Sequence, residues 1–562
     1  MSLVIDFPQD GTLDRHQRWD RFERADQFEH YRKLHAQGVS QRQAAKQLQV
    51  PRTTLQAWSI WHDTLDICPH VAEFFQKGPG LAFLHRIVIA VHLVCVAVGA
   101  CGMRLVCLLL NLTGLDRFVA ASYGAQPQVN RRVEEAIVAY RHDETARLAQ
   151  DMPRKAITVT QDETFTGGLC LVSMDPESNF IIVEQLAQAR DQTTWDALMA
   201  PALEPLNCQV IQSTSDEAPG LLAYVEHYLE AHHSPDLFHV QHELVKAVSG
   251  PMAMKERAAH KALSAARDQL EQVHAYQPNA GDEPEKRGPG RPPKAPVSLE
   301  HAAQALEAAS REHERLAQQR EHVGKSIRGI GHDDHCVDLE RGVRRNGQLI
   351  AADIQAHIEQ VRTMAQYEGL SQRCVERIEK AERVVPKMQA TIEFVSRYVG
   401  QQVDQLDVTP PASFAMHAKL IPSLYLERVA QTQTVREGEP LRKLAERLRA
   451  PLFEPGGALR GLSPEAQDQL HDQAKTLAAV FQRSSANVEG RNGYLSRNHQ
   501  LRGLDLPRKR ECFTTIHNFF LTRPDGTTAA ERFFGQKPRS MFTAILTSVE
   551  LPPTPLSPLR RP

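Results

Sequence analysis

The chain has 562 residues, 41% hydrophobic and 24% charged, with a formal net charge of -2. This composition excludes a disordered or low-complexity chain, and the length predicts about three or four domains rather than one core. The near-neutral balance excludes a global positive field, so any nucleic-acid partner must be held by local basic patches.

The opening residues, MSLVIDFPQDGTLDR, lack a basic start followed by an apolar run, so no secretion signal is expected. The nine cysteines contain no C-x-x-C pair, which fits a reducing cytoplasm better than a disulfide framework. Residues 1–65 read as a helix-turn-helix domain. FEHYRKLHAQ is a first helix, Gly38-Val39 a turn, and Ser40 a cap for SQRQAAKQL. Pro51 opens a third helix, PRTTLQAWSIW. Ala44, Ala45, Leu48, Val50, Leu55 and Trp58 supply a small core. Arg52, Thr53, Thr54 and Gln56 are left as donors and acceptors for a DNA major groove. The alternative is a three-helix packing module without DNA.

Residues 66–150 form a second helical block, with GMRLVCLLLNLTGLDRFVAASYG as a possible further DNA-binding module. Its apolar run from Leu81 to Leu115 is long enough to suggest a membrane span. His85, Arg86, His92 and Arg104 interrupt it, however, and two buried helices are the better expectation.

At residue 156 the period changes to two. AITVTQD is a strand ending in Asp162, TFTGGLCLVSM turns at Gly167-Gly168 into a second, and FIIVEQ is a third. A helix over 191–206 follows, then a strand, CQVIQSTSD, which delivers Asp216. After these come a helix, EAPGLLAYVEHYLEAHH, and the short segment DLFHV. Three antiparallel strands followed by alternating helix and strand make an α/β class with a mixed five-stranded sheet. This is the element order of a ribonuclease H-like fold. In that order the first and fourth strands are parallel neighbours, so Asp162 and Asp216 emerge at one sheet edge. Thr158, Thr160 and Ser213 to Ser215 around them suit a solvated ion site, although a strand-terminal Asp also serves as a turn residue.

From 251 to 470 the period is helical. Leu299, Ala302, Leu306, Ala309, His313, Leu316, Arg320 and Val323 face Leu263, Ala266, Leu270 and Val273 in an expected antiparallel coiled-coil hairpin. The Pro/Gly-rich linker between them carries KRGPGRPPK. It is either a basic linker or an AT-hook-like arm placing Arg287, Arg291 and Lys294 on a narrow minor groove. GHDDHC (332–336 with the preceding Gly) crowds its ligand-type side chains too closely for one zinc ion. RGVRR and LPRKR are basic runs expected to touch phosphate, with solvated surface as the alternative. The end of the chain, 546–562, reads as a disordered tail.

The blocks TVTQDETFTGG, STSDEAPGLLAYVEHYLEAHHSPDLFHVQHE and SSANVEGRNGYLS resemble the three acidic blocks of the DDE transposase and integrase superfamily. The closest likeness is to bacterial insertion-sequence transposases with a long insertion before the last acid. IHNFFLTRPDGTTAAERFFG is similar to the block that ends many integrase-type catalytic domains. The resemblance covers roughly 155–250 and 481–540 and implies one catalytic domain in two parts, 151–250 and 471–545. It implies that Asp162, Asp216 and Glu489 hold two Mg²⁺ or Mn²⁺ ions, with Asp236 and His239 behind them. It further implies that Glu489 lies on a helix across the sheet, with Arg491 and Asn492 available to DNA phosphate. Glu511 and Glu531 compete for the third role, because 273 residues separate Asp216 from Glu489 but only 54 separate Asp162 from Asp216.

The implied reaction is hydrolysis at the ends of a DNA element, followed by in-line attack of the freed 3′-hydroxyl on target DNA. The implied partners are double-stranded DNA and at least a second copy of the chain, in a nucleoid-associated setting without a membrane. The rivals are a ribonuclease H-like nuclease that cuts without joining and a DNA-binding regulator with a dead site.

Overall fold

A computed structural model describes residues 19, 21–60, 73–75, 78–275, 297–502 and 506–550. Near the N-terminus α1 (Arg21–Ala36), α2 (Gln41–Gln47) and α3 (Arg52–Ile60) pack around Phe28, Tyr31, Ala44, Ala45, Val50, Leu55 and Trp58. Ser40 and Gln43 cap α2 reciprocally, each side chain accepting from the other's backbone N–H. Leu48, expected in this core, is only partly buried.

The next helix, α4 (Gly78–Ala90), runs on into a π-helical stretch, Val91–Val98. It is followed by α5 (Met103–Leu112) and α6 (Gln126–Gln150). Gly78–Val98 is long and apolar enough to cross a membrane by length and composition alone. Its polar groups are nevertheless engaged within the protein: His92 Nε2 meets Gln126 Oε1 at 2.8 Å, and the Arg86 guanidinium lies 5.0 Å from the Phe542 ring. The expectation of two buried helices is corrected. Leu84, Val88, Ile89 and Leu93 face inward, but Leu81, Phe83, Val94, Leu105, Leu108 and Leu112 are exposed. A helix that is apolar all round leaves one face open when neighbours cover only the other.

The protein is mixed α/β, with one open five-stranded sheet in the order β3-β2-β1-β4-β5. β1 (Lys155–Phe165), β2 (Leu169–Met174) and β3 (Ile181–Leu186) are antiparallel. α7 (Gln192–Leu203), capped by Asp191, leads to β4 (Cys208–Ser215), parallel to β1. α8 (Pro219–Tyr224) and a π-helical turn then lead to β5 (His232–Pro235), parallel to β4. Two boundaries differ from expectation. β1 continues past Asp162, because Asp162 to Phe165 still pair with β2 through a tight turn in which Gly167 adopts φ +73°. The last strand is HHSP rather than DLFHV, which instead opens a helix.

That helix, α9 (Leu237–Ala275), and α10 (Leu299–Asp333) form the hairpin. Contacts of Gln241 with Ile327, Glu256 with Arg320 and His260 with His313 run in opposite directions along the two chains, so the pair is antiparallel. Leu299 and Arg320, placed in the seam from the sequence, are exposed, while Ala302, Leu316 and Val323 are buried.

Helices α11 (Gly347–Tyr367), α12 (Gln372–Glu382), α13 (Val385–Asp404), α14 (Pro410–Ala415), α15 (Ile421–Thr432), α16 (Val435–Phe453) and α17 (Pro464–Ala479) complete the insertion. Their core takes in Leu237, Val240 and Leu244 of α9, so the insertion grows out of the sheet's last crossover without a break.

The chain returns as α18 (Ala486–Arg502), α19 (Pro507–Phe519), α20 (Ala529–Phe534) and α21 (Met541–Ser548). Val488 and Leu495 of α18 pack on Cys170, Val172, Met174 and Ile181, laying that helix on the sheet. Ile516, Phe533 and Ile545 share one core with Ile157, Leu171 and the helices of 78–150.

Candidate active site

The parallel register pairs Gln161 with Ser215, so Asp162 and Asp216 are the next residues on two adjacent strands. Neighbouring strands lie about 4.8 Å apart, which brings both carboxyls to one edge. β5 ends one strand further on, and Asp236 follows it. Its Oδ1 accepts from Phe238 N at 2.9 Å and starts α9, so His239 falls on the first turn of that helix, above the same edge. Three strand ends thus converge.

The return segment is tied to the sheet by polar contacts. Gln212 Nε2 donates to Gln482 O at 2.8 Å and to Ser234 Oγ at 2.7 Å, and Leu237 N donates to Arg483 O at 3.0 Å. Ser485 Oγ donates to Asp236 Oδ2 at 2.5 Å. This stitching sets the start of α18 and delivers Glu489 to the strand ends. Ligand-type atoms of Asp236, His239 and Glu489 lie within 4.8 Å of one another. The polar residues expected to border a solvated site, Thr160 and Ser213 to Ser215, are instead buried, because the insertion covers this part of the sheet.

Burial pushes the Asp162 carboxyl up to about 6, with repulsion from Asp216 and Glu489 adding to the rise. Glu489 is also raised, first by burial and then by Asp236. Burial acts to raise Asp236 too, but hydrogen bonds from His239, Ser485 and Phe238 N outweigh it and hold this carboxyl low. Two of those donors fall on Oδ2 and one on Oδ1, so Asp236 keeps a lone pair on Oδ1 while its Oδ2 is fully engaged. The same carboxyl meets His239 Nδ1 at 3.0 Å and keeps that imidazole charged to higher pH.

Hard carboxylate oxygens gathered against their own repulsion, with Asn492 Oδ1 buried and lacking a partner among the described residues, fit a divalent cation. The group whose ligand atoms cluster is Asp236, His239 and Glu489, while Asp162 and Asp216 stand at the neighbouring strand ends, with Asp216 and Glu489 close enough to Asp162 to raise its carboxyl.

Several expected residues fall elsewhere. Arg491 is not a phosphate contact: it is buried in a two-pronged ion pair with Glu184, at 2.5 and 2.9 Å, and stacks on Phe513 and Tyr494. Asn492 also points inward, donating from Nδ2 to Asp162 Oδ2 at 2.7 Å. Both corrections have one cause, since this face of α18 lies on the sheet.

Glu511 pairs with His142 at 3.0 Å, and Glu531 lies in the first turn of α20, its backbone N–H donated at 3.1 Å to Thr528 Oγ1, which caps that helix. Neither competes with Glu489. Within LPRKR, Arg510 is buried on Thr166, and Arg508 pairs with Glu134 at 3.0 Å. In GHDDHC the side chains diverge: His332 meets Asp333, while His335 meets the Tyr425 hydroxyl at 2.6 Å. Arg52, Thr53 and Gln56 are exposed on α3 and Thr54 is half-buried. Arg287, Arg291 and Lys294 lie outside the described residues, as does the greater part of the C-terminal tail, 551–562.

Sequence reasoning missed Glu184 and Ser485. An acid within the apolar strand FIIVEQ is a signal that a buried partner is required. Ser485 gives no such signal.

Beside the carboxylates opens a cavity of about 320 Å³, lined by Arg190, Asp216, Asp236, His239, Glu243 and Lys380 among others. A second, of about 480 Å³, lies at the other end of β1 near Lys155, Asp175 and Tyr398, and holds none of the candidate residues.

A family model described as a family of unknown function (DUF6399) matches residues 416–561, a stretch that holds Glu489 and Asn492 but neither Asp162 nor Asp216. No curated protein and no solved structure matches the chain.

Proposed function

We propose that this protein is a DNA transposase of the DDE type, cutting phosphodiesters at the ends of its element and joining them to target DNA. The observation that carries the reading is the adjacency of Asp162 and Asp216 at two parallel strand ends, with Glu489 returned after 273 residues to cluster with Asp236 and His239 at the same edge and to repel Asp162. A sheet ordered β3-β2-β1-β4-β5 fits a ribonuclease H-like catalytic domain. The exposed polar face of α3 fits end recognition in a major groove.

Divalent cations, Mg²⁺ or Mn²⁺, would supply charge neutralisation at the phosphate and a more acidic attacking water. The protein's own part is positional. Asp162, Asp216 and Glu489 present oxygens from three separate elements, and Asn492 holds one oxygen of Asp162 in place. Asp236 holds the His239 ring through Nδ1, near enough to Asp216 and Asp162 for their charge to favour the protonated imidazole. Such preorganisation lowers the barrier without a covalent enzyme intermediate.

The test is cleavage and strand transfer on DNA carrying the sequences that flank the gene, with Mg²⁺ or Mn²⁺. Asp162→Ala, Asp216→Ala and Glu489→Ala are each expected to abolish both steps while retaining end binding. Cleavage by Asp162→Ala at the parent rate would refute the assignment. Cleavage by the parent without joining of pre-cut ends would favour a nuclease instead.

A further inference from the structure

The acids that neighbour the proposed metal ligands are each paired with a basic side chain. Glu163 follows Asp162 and pairs with Arg190 at 2.9 Å. Glu217 follows Asp216 and pairs with Lys387. Glu243, one turn beyond His239 on α9, pairs with Arg377 at 3.0 Å and Lys380 at 3.4 Å. Two of these four cations, Arg190 and Lys380, line the cavity beside Asp216, and Arg377 and Lys387 are tethered to Glu243 and Glu217 on its wall. Arg190 comes from the loop before α7, on the sheet side. Arg377 and Lys380 lie three apart on α12, and Lys387 on the first turn of α13, both contributed by the insertion. Arg190 and Lys380 line the same cavity as Asp216 and His239.

We propose that Arg190, Arg377, Lys380 and Lys387 are a clamp for the sugar–phosphate backbone of the DNA strand that enters this cleft, a role that rests on the transposase reading above. A cleft floored by carboxylates repels a polyanion, so binding there needs compensating cations close by. These cations are available for exchange. The Arg190 and Lys380 side chains are 64% and 67% exposed despite their partners, and Lys387 is 48% exposed. Arg377 is 28% exposed and the acids less so than the cations, Glu163 8%, Glu243 21% and Glu217 31%, so exchange requires each freed carboxylate to be rehydrated at the open cleft. In the DNA-free protein Glu163, Glu217 and Glu243 stand where phosphates come to lie, holding the side chains extended toward the mouth. The insertion thus forms one wall of the substrate groove, and the sheet forms the other.

The test compares the full-length protein with the triple variant Arg377→Gln/Lys380→Gln/Lys387→Gln, binding a fluorescent duplex from the gene's flanks in EDTA across a KCl series. Each lost phosphate contact lowers the slope of log K against log salt by about 0.9, so a fall of roughly 2 to 3 is expected, with weaker binding. Parent and variant are also assayed for Mg²⁺-dependent cleavage. A parent that cleaves, with an unchanged slope in the variant, overturns the clamp and leaves the transposase reading standing. A parent that neither binds nor cleaves removes both. If the triple variant melts early, the single Lys380→Gln variant, at an exposed side chain, is read instead for a fall of about 0.9. Glu243→Gln, which releases Arg377 and Lys380, is expected to tighten binding, and weaker binding would count against the proposal.

Discussion

Asn492 donates from Nδ2 to Asp162 Oδ2 at 2.7 Å, joining α18 to β1 across 330 residues of chain. Asp162 Oδ1 is taken by the N–H of Glu163 at 2.8 Å, so the carboxyl has one oriented donor on each oxygen and little rotational freedom. On the transposase reading proposed above, Asn492 would act through Asp162, as a positioning residue.

Asn492→Ala is expected to lower metal affinity or cleavage rate by about 10- to 100-fold, the usual effect of losing a partner behind a metal ligand. End binding should persist. The Mg²⁺ concentration for half-maximal cleavage is the deciding readout, because a purely structural defect would lower stability without moving it. Asn492→Ser, which keeps a shorter donor, should recover part of the loss. Equal Mg²⁺ dependence in Asn492→Ala and the parent would reject this role.

Asp162 supplies a pH test. Its folded pKa, pushed up to about 6 by burial and then by Asp216 and Glu489, lies above the unfolded value of about 4. The protonated form is favoured on folding, so its contribution to stability is present below about pH 4 and is lost as pH rises through about 6. Without divalent ions, Asp162→Asn should stabilise the protein at neutral pH by at most about 3 kcal/mol and flatten this part of the pH profile. Mg²⁺ should raise the melting temperature of the parent above pH 6 and have a smaller effect on the variant. Urea melts with EDTA or Mg²⁺ check both. A variant less stable than the parent at neutral pH in EDTA would contradict the argument.

The Arg491–Glu184 pair makes the third case. Thr514 Oγ1 also donates to Glu184 at 2.8 Å, and the guanidinium stacks on Phe513. Although burial works to raise it, these partners hold the Glu184 carboxyl below its usual range. Arg491→Met leaves an uncompensated buried charge and should cost about 3–5 kcal/mol in a urea melt. Adding Glu184→Gln should restore a good part of that, since the double variant buries no unpaired charge. A loss under about 1 kcal/mol for Arg491→Met would show the pair to be solvated.

Much of the sheet was legible in the sequence. Period-two patterning marked β1 to β4, and the element order gave the parallel pairing of β1 with β4 that brings Asp162 and Asp216 together. The ends of strands were less legible. DLFHV has strand-like composition, yet Asp236 caps the following helix, and a cap is only distinguishable from a strand residue once the next turn has formed. The roles of Arg491 and Asn492 were misread because α18 offers polar residues on more than one face. Which face meets solvent is set by Cys170, Val172 and Ile181 of the sheet beneath it.

By itself the sequence determined what is local: the capping box at Ser40, the alternation in β1, the helical seam of α9 and α10, and the identity of acids at strand ends. Those features depend on neighbours within a turn or two, and the chain carries them wherever it goes. Tertiary structure alone decided which distant groups meet. Glu489 reaches the Asp162 edge because Gln482, Arg483 and Ser485 are bonded to β4, β5 and α9 across a whole helical insertion. It also decided that Arg491 is buried and that Arg190 and Lys380, from the sheet side and the insertion, line one cavity. Burial and charge pairing are properties of the packed surfaces, and no spacing within a segment encodes them.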